Sequence, residues 1–589
     1  MTDFTLTSGA DVFPSMGEDI SGSDRIFGLG GADQIHGGAG ADAINGGADA
    51  DTLFGDAGND TLDAGILPLN DVLDGGANFD LVILDYQNVI NVVTNVSVRV
   101  VANFSTGSWA TLIDGVTGAT VMNFEHITIT SGNAADSIVG GVGNDTLTSL
   151  GGTDKLYGGD GNDDIAKTYG VYDLRGGAGS DLLRVAGVDT KQPGMALMFD
   201  ARGAVGTITC GTTTSGSFRA FERYAISGTA GRDVVHLDDG ADIATGGTGA
   251  DLLDGLGGRD TLDGGAGLDT LYGGGGDDAL STGEPRQSIA ALAEQVFGGA
   301  GNDAITTGVG FGLGPVRTFA GLRIDGGSGT DSLEIGGNTE VMDLRGAVLS
   351  GIEALTYASS GFLGGVIVTA GQFNMFDDYT LNGFVQVVTS GDLVANGDLF
   401  ITEIKLFTGG QKIDLSASTK PFSDFGPRVT GGAGADTMVG SARGDYFTGD
   451  AGNDTMRGGA GADGLVGGLG ADRLTGGTGA DTFVFGVVAD STVALRDVIT
   501  DFTVNAAAGV AFIDKLNLSL IDAKAGTVAN DAFTFVGGAA FSAVGQVRAV
   551  QSGADTLVQV NTAGAGGAEM VVVLQGFQAT SLTAADFWL

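Results

Sequence analysis

The chain has 589 residues, and 72 acidic against 27 basic side chains give it a formal charge of −45. A surface of that sign repels nucleic acid and anionic membranes and draws cations, while 42% hydrophobic residues are too many for a disordered chain. Glycine supplies 108 residues and proline only 7, which is not the make-up of a Pro/Gly linker, and the single cysteine, Cys210, excludes an internal disulfide.

Residues 1–18 read as a lead strand. Met1-Thr2-Asp3-Phe4-Thr5 shows no basic stretch running into an apolar one, so no Sec signal peptide is expected. No apolar run approaches the ~18 residues of a membrane span. From residue 19 a nine-residue period sets in: DISGSDRIF, GLGGADQIH, GGAGADAIN, GGADADTLF and GDAGNDTLD. With the isolated unit GGANFDLVI at 75–83 these form a first block, 19–83. A spacer at 84–130 follows, in which Val96–Val100 and His126–Thr130 alternate like half-buried strands. The second block, 131–184, includes GGVGNDTLT and GGDGNDDIA, and a second β spacer covers 185–227.

A third block with insertions spans 228–334 and includes GGTGADLLD, GLGGRDTLD and GGAGLDTLY. Residues 335–430 carry no repeat and are rich in Thr, Val, Phe and Gly, with alternation at Gly365–Thr369 and Phe384–Thr389. This stretch reads as all-β and as the best place for a partner-binding surface. The fourth block is 431–484, and 485–589 form a C-terminal domain with strand-like motifs such as DTLVQVN and VVVLQGF. The spacers end alike, FEHITI at 124–129 and FERYAI at 221–226, and a related GIEAL stands at 351–355. They read as a repeated β module capping each roll.

Each unit carries a six-residue turn and a short strand whose eighth residue points inward, as Ile35, Ile44, Leu53 and Leu62 do. Glycine dominates the turn because a Cβ would clash or the backbone must turn left-handed. Two units make one 18-residue coil, which sets Asp33 over Asp51 and Asp42 over Asp60 at about one strand spacing. Position six holds aspartate throughout the contiguous units and in the isolated ones, a register that a merely solvated acidic face does not keep. Turn carbonyls and stacked carboxylates offer an all-oxygen cage suited to Ca²⁺ rather than to Mg²⁺ or softer metals. The expected ligands are Asp33, Asp42, Asp51, Asp60, Asp145, Asp154, Asp163, Asp242, Asp251, Asp260, Asp269, Asp278, Asp303, Asp436, Asp454, Asp463, Asp472 and Asp481. They would hold at most about 13 ions in the contiguous repeats. Asp260 has same-side neighbours at Asp242 and Asp278, whereas Asp481 is expected to close its block with only Asp463 beneath it. Three units depart from the pattern: Asp49 replaces a glycine, LDDGADIAT begins with Leu237, and Arg443 in GSARGDYFT is expected to crowd an ion.

The pattern GGxGxDxUx, with U apolar, resembles that of RTX proteins, whose calcium-binding repeat wind into parallel β-rolls. The expected fold is therefore all-β, parallel β-roll blocks separated by β-rich spacers and closed by a C-terminal β domain. The series from ADTFVFG (480–486) to LTAADFWL (582–589) resembles the C-terminal domain of serralysin-like secreted proteins over roughly 477–589. That resemblance implies an uncleaved signal for one-step, type I export, which in the family ends in an acidic residue and hydrophobic ones. Asp586-Phe587-Trp588-Leu589 fits.

The common enzymatic chemistries find no motif. His36, His126 and His236 are far apart and none is followed by Glu, so H-E-x-x-H is excluded. No serine sits in G-x-S-x-G. Cys210 has no histidine near it in sequence and reads as a small hydrophobe. A catalytic role for Glu125 and Glu222 is the lesser reading beside the cap. The expected function is non-enzymatic: a calcium-binding structural protein of surface-layer, adhesin or matrix type, extracellular or on the outer cell surface. Its expected partners are calcium, the type I secretion machinery, and either itself or a surface glycan. The alternative is a secreted polysaccharide-active hydrolase with a paired-carboxylate site. We predict that millimolar Ca²⁺ raises, and chelator lowers, the β signal in circular dichroism; a spectrum indifferent to both would overturn the calcium assignment.

Overall fold

The architecture begins with one buried residue per strand. Ile26, Ile35, Ile44, Leu53 and Leu62 stand at the centres of three-residue strands and are at most 2% exposed, with less buried residues on either side. Strands eighteen residues apart pair in parallel and in register, Arg25–Phe27 on Ala43–Asn45 and Gln34–His36 on Thr52–Phe54. Consecutive units therefore lie on opposite walls, and the inward residues of both walls fill the space between them.

The computed structural model describes all residues except 1, 15–19, 66–69, 86–89, 92–95, 98–99, 104–108, 114–115, 123, 169, 187–195, 211–213, 284–293, 308–315, 320, 337–340, 359–364, 382–383, 388–391, 395–398, 401–402, 407–409, 419–424, 505–512, 525–530 and 565. The alternating stretch expected at Val96–Val100 thus lies partly outside the described residues. The chain divides into two units, Met1–Arg286 with Glu294–Ala304, and Gln287–Ala293 with Ile305–Leu589. The all-β parallel-roll architecture expected from the repeats is the one observed.

In the first unit the lead segment supplies a strand to each wall, Asp3–Thr5 paired with Arg25–Phe27 and Val12–Phe13 paired with Gln34–His36. The spacers do not cap the rolls. On one wall Leu81–Asp85 pairs in parallel with His126–Ser131, which pairs with Thr146–Ser149, so FEHITI is a coil of the roll. FERYAI is another, with Leu182–Ala186 on one side and Ile243–Gly249 on the other. The opposite wall takes up the extra chain as an antiparallel meander. Val72–Asp74 pairs with Val116–Met122, that strand with Trp109–Ile113, that with Val100–Asn103, and the last returns in parallel to Ser137–Val142. The second spacer repeats the device with Thr214–Arg219, Gly206–Cys210 and Leu197–Asp200, which rejoins Val234–His236. Phe199 stacks on Phe218 at 4.8 Å in that meander.

In the second unit the region without repeats is itself a stack of coils. Val341–Asp343, Gly365–Val368, Phe384–Val387, Glu403–Leu406 and Phe425–Ala433 pair one on the next in parallel, leading into the fourth block. A single turn of helix, Ala370–Met375, is capped by Thr369, which accepts from Gln372 N–H. Past the last repeat, Val498–Ile499 continues one wall and joins Met570–Leu574. The antiparallel strands Gln546–Ser552, Asp555–Asn561 and Met570–Leu574 follow. The other wall runs through Lys515–Asn517 to Phe587–Trp588.

Glycine serves two purposes in the turn. Gly38 and Gly40 hold φ of +91° and +136°, which suits no side chain. Gly37 has ordinary φ, but a Cβ there would stand 2.9 Å from both Asp42 Oδ2 and the Gly55 carbonyl oxygen. We predict that Gly37→Ala lowers the stability of the calcium-loaded protein by roughly 1–3 kcal/mol. Gly22→Ala, where nothing lies within 4 Å of the new Cβ, should stay within about 0.5 kcal/mol. Thermal melts of the two variants in millimolar Ca²⁺ check the difference.

Candidate metal centre

The sixth residue of each unit ends the turn and enters the strand, and its position fixes both carboxylate oxygens. Oδ1 accepts the backbone N–H of the aspartate one coil earlier: Asp24 to Asp42 at 2.7 Å, Asp33 to Asp51 at 2.9 Å, Asp42 to Asp60 at 2.8 Å. The same bond joins Asp242 to Asp260 and Asp260 to Asp278, and Asp436 to Asp454 and Asp454 to Asp472. Asp251 donates to Asp269, Asp278 to Asp303, Asp145 to Asp163, and Asp463 to Asp481. These aspartates are at most 3% exposed.

Oδ2 points at the first glycine of its own turn, beside the carbonyl of the stacked turn. Among the described residues it has no hydrogen-bond partner at Asp33, Asp42, Asp51, Asp60, Asp163, Asp242, Asp251, Asp260, Asp269, Asp278, Asp436, Asp454, Asp463, Asp472 or Asp481. A buried carboxylate oxygen without a donor is among the costliest groups in a protein interior. A repeated row of them beside carbonyl oxygens calls for a hard cation, and the donor set, oxygen only, fits calcium. Among the described residues no three His, Cys, Asp or Glu side chains converge on one point. Backbone carbonyls would therefore supply much of each shell.

The electrostatics agree. Burial, opposed by the ladder N–H and reinforced by neighbouring carboxylates, pushes Asp51 up to about 6, Asp60 to about 7, and Asp260 and Asp463 to about 8.

Two of the expected ligands are satisfied from within the chain. Asp145 Oδ2 accepts Gly141 N–H at 2.8 Å, and its Oδ1 accepts Ile127 N–H. Asp154 Oδ2 accepts from Ser149 Oγ and from the buried Lys167 Nζ. The expectation for Arg443 is corrected too. Arg443 is exposed, and it is Ser441 whose N–H and hydroxyl occupy Asp445 Oδ2, at 2.7 and 3.0 Å. Asp481 does not end its stack, because its N–H donates to Asp514 Oδ1 at 2.9 Å.

The ladder also holds residues outside the expected set. Asp24, Asp71, Asp80 and Asp181 share its geometry with unpartnered Oδ2. Asp497 does so beyond the last repeat, accepting Asp472 N–H from 25 residues upstream. Insertions hide Asp497 and Asp514 from a nine-residue period, and the turn before Asp71 is two residues longer than that of a regular unit and keeps a single glycine, Gly65. The three similar glutamates have a ladder role. Glu125, Glu222 and Glu353 accept the N–H of Asp80, Asp181 and Asp331 at 2.8–3.0 Å, each standing where the next aspartate would.

A roll whose stacked nonapeptides carry at their sixth position a buried aspartate short of hydrogen-bond donors defines a protein of calcium-binding repeats. The model of the RTX calcium-binding nonapeptide repeat matches in four copies, at 20–53, 36–66, 130–165 and 225–253. The chain belongs to the peptidase M10 serralysin C-terminal family, whose model matches residues 254–588, more than half its length. That match starts well upstream of residue 477 and takes in the region without repeats. No curated protein matches the chain. Among solved structures, it is similar to the R3 subunit of AlgE6, a mannuronan C5-epimerase from Azotobacter vinelandii. Identity there is 23% over 32% of this chain and 79% of that one, with a TM-score of 0.17. For the R2 subunit of the same epimerase the figures are 25%, 34%, 91% and 0.17.

The raised carboxylates predict an unusual pH response. With calcium removed, the folded roll binds more protons than the unfolded chain between about 4 and 8, so its stability is greatest near pH 4. It is lost as pH rises through the folded values of about 6 to 8. Ca²⁺ needs the deprotonated carboxylates and should strengthen across the same window. Thermal midpoints in chelator should fall from pH 4 to pH 8, and in millimolar Ca²⁺ they should hold or rise; parallel curves would overturn the assignment.

Proposed function

We propose that this is an exported structural protein, stiffened by calcium outside the cell, of surface-layer, adhesin or matrix type. The observation that carries the reading is the reach of the coil architecture. In each of the two units the described strands belong to walls or to meanders spliced into them, apart from the pair Ile90–Asn91 and Val96–Ser97. Calcium along such a wall would neutralise part of the −45 charge and turn mutual repulsion into cross-links between coils. The serralysin-like C-terminal region supports type I export. Extracellular calcium modules have dissociation constants of about 10⁻⁴–10⁻³ M, so the rolls would stay unfolded in the cytoplasm and fold on arrival outside.

Two experiments test the parts of this reading. Deleting residues 520–589 should retain the protein inside cells while the first unit still folds in added calcium; release of the truncated chain into the medium would overturn the export assignment. Electron microscopy of the purified protein should show calcium-dependent assemblies or attachment to cell surfaces. Dispersed monomers that cleave a polysaccharide would instead establish the enzyme.

A further inference from the structure

One rung of the ladder is built differently. In SLGGTDKLY (149–157) serine takes the first position, where glycine usually stands. In KTYGVYDLR (167–175), one coil on, lysine takes it, and Tyr172 stands where that unit's aspartate belongs. The strands stack Ser149 on Lys167 and Asp154 on Tyr172. Asp154 keeps the ladder bond, its Oδ1 accepting Asp136 N–H at 2.8 Å. Its Oδ2, however, accepts from Ser149 Oγ at 2.7 Å and from Lys167 Nζ. Nζ also donates to Ser149 Oγ at 3.2 Å and lies 5.9 Å from the centre of the Tyr172 ring. Both charged side chains are wholly buried.

The neighbouring coil on the other side gives the comparison. Asp163, with glycine at the first position of its turn, leaves Oδ2 without a donor. The lysine, the serine and the missing aspartate thus occur together. The coil that loses its next carboxylate gains an ammonium on the oxygen that elsewhere lacks a donor. A buried lysine is expensive unless it is paired and hydrogen-bonded, and here it is both.

We propose that the Lys167 ammonium fills, from within the chain, the cation position beside Asp154, making this coil ordered without calcium and a fixed point from which the calcium-dependent coils build. The proposal rests on the calcium reading of the ladder, and its test separates the two. Hydrogen exchange is followed on the full chain in chelator and in millimolar Ca²⁺. In chelator, amides of Thr146–Ser149, Thr153–Asp160 and Asp164–Lys167 should stay protected while those of Ile243–Gly249 and Thr261–Asp263 exchange. Lys167→Met should speed exchange of the first set in chelator by about a hundredfold or more, the usual cost of stranding a buried charge, and leave the second set unchanged. The double variant Lys167→Met/Asp154→Asn, which removes both charges, should recover most of that protection and so separates pairing from loss of bulk. Equal exchange of the two sets in wild-type protein in chelator, or equal losses in the single and double variants, would overturn the proposal. Protection of both sets in chelator is a different pattern and would overturn the calcium dependence of the ladder itself, and the fixed-point role with it.

Discussion

Everything in this molecule depends on the stacking of like charges at strand spacing inside a narrow roll. Each aspartate is held by one oxygen to the backbone of the coil before it, so the carboxylate cannot turn away to solvent. The other oxygen is then committed to the interior beside a carbonyl. Without a cation that arrangement is self-opposed, since burial and mutual repulsion both favour protonation. With one, the same geometry becomes a cross-link. In the first block the apolar core is thin, because each three-residue strand contributes one buried side chain. On the function proposed above, the balance between order and disorder then follows the ionic conditions.

That constraint also accounts for the glycines. A first-position side chain would intrude on the committed oxygen and on the carbonyl of the next turn. The later glycines turn the backbone left-handed, so that carbonyls line up with the stack. At some positions where the sequence departs from glycine the backbone keeps the glycine conformation: Asp49 and Leu256 hold φ of +80° and +65°. Neighbouring coils impose the turn, and a poorly suited residue adopts it at a cost in strain. The repeat behaves as a lattice, in which one unit's geometry is dictated by those above and below.

Much of this was legible in the sequence because the period is short and its chemistry is confined to one register. The nine-residue spacing of Gly and Asp gave the coil, the wall to which each unit belongs, and the stacking of Asp33 over Asp51. The spacers were harder. FEHITI and FERYAI were visible as a recurring motif, but that Glu125 and Glu222 stand in for aspartates requires knowing that the strands pair across about forty residues of meander. The region without repeats, 335–430, conceals its coils because they share neither length nor turn chemistry. Asp497 and Asp514 are invisible to the period, as insertions displace them, although RDVITDF and DKLNLSL each place an aspartate before a strand. Lys167 left a clear trace, a lysine in a glycine position paired with a tyrosine in an aspartate position, whose meaning appears only when the coils are stacked.

The meanders have a consequence for how such a chain can change. Each is threaded into one wall while the opposite wall runs on unbroken, and the chain leaves and re-enters the stack within a single storey. Lengthening the protein therefore needs no new end and no re-registration of existing coils. Extra chain can be let in at a wall as a dormer is let into a roof, with the frame on either side unmoved. The two meanders, alike in strand order though different in sequence, are two uses of one joint. The same joint offers natural seams at which a foreign segment could be carried on the outside of the roll.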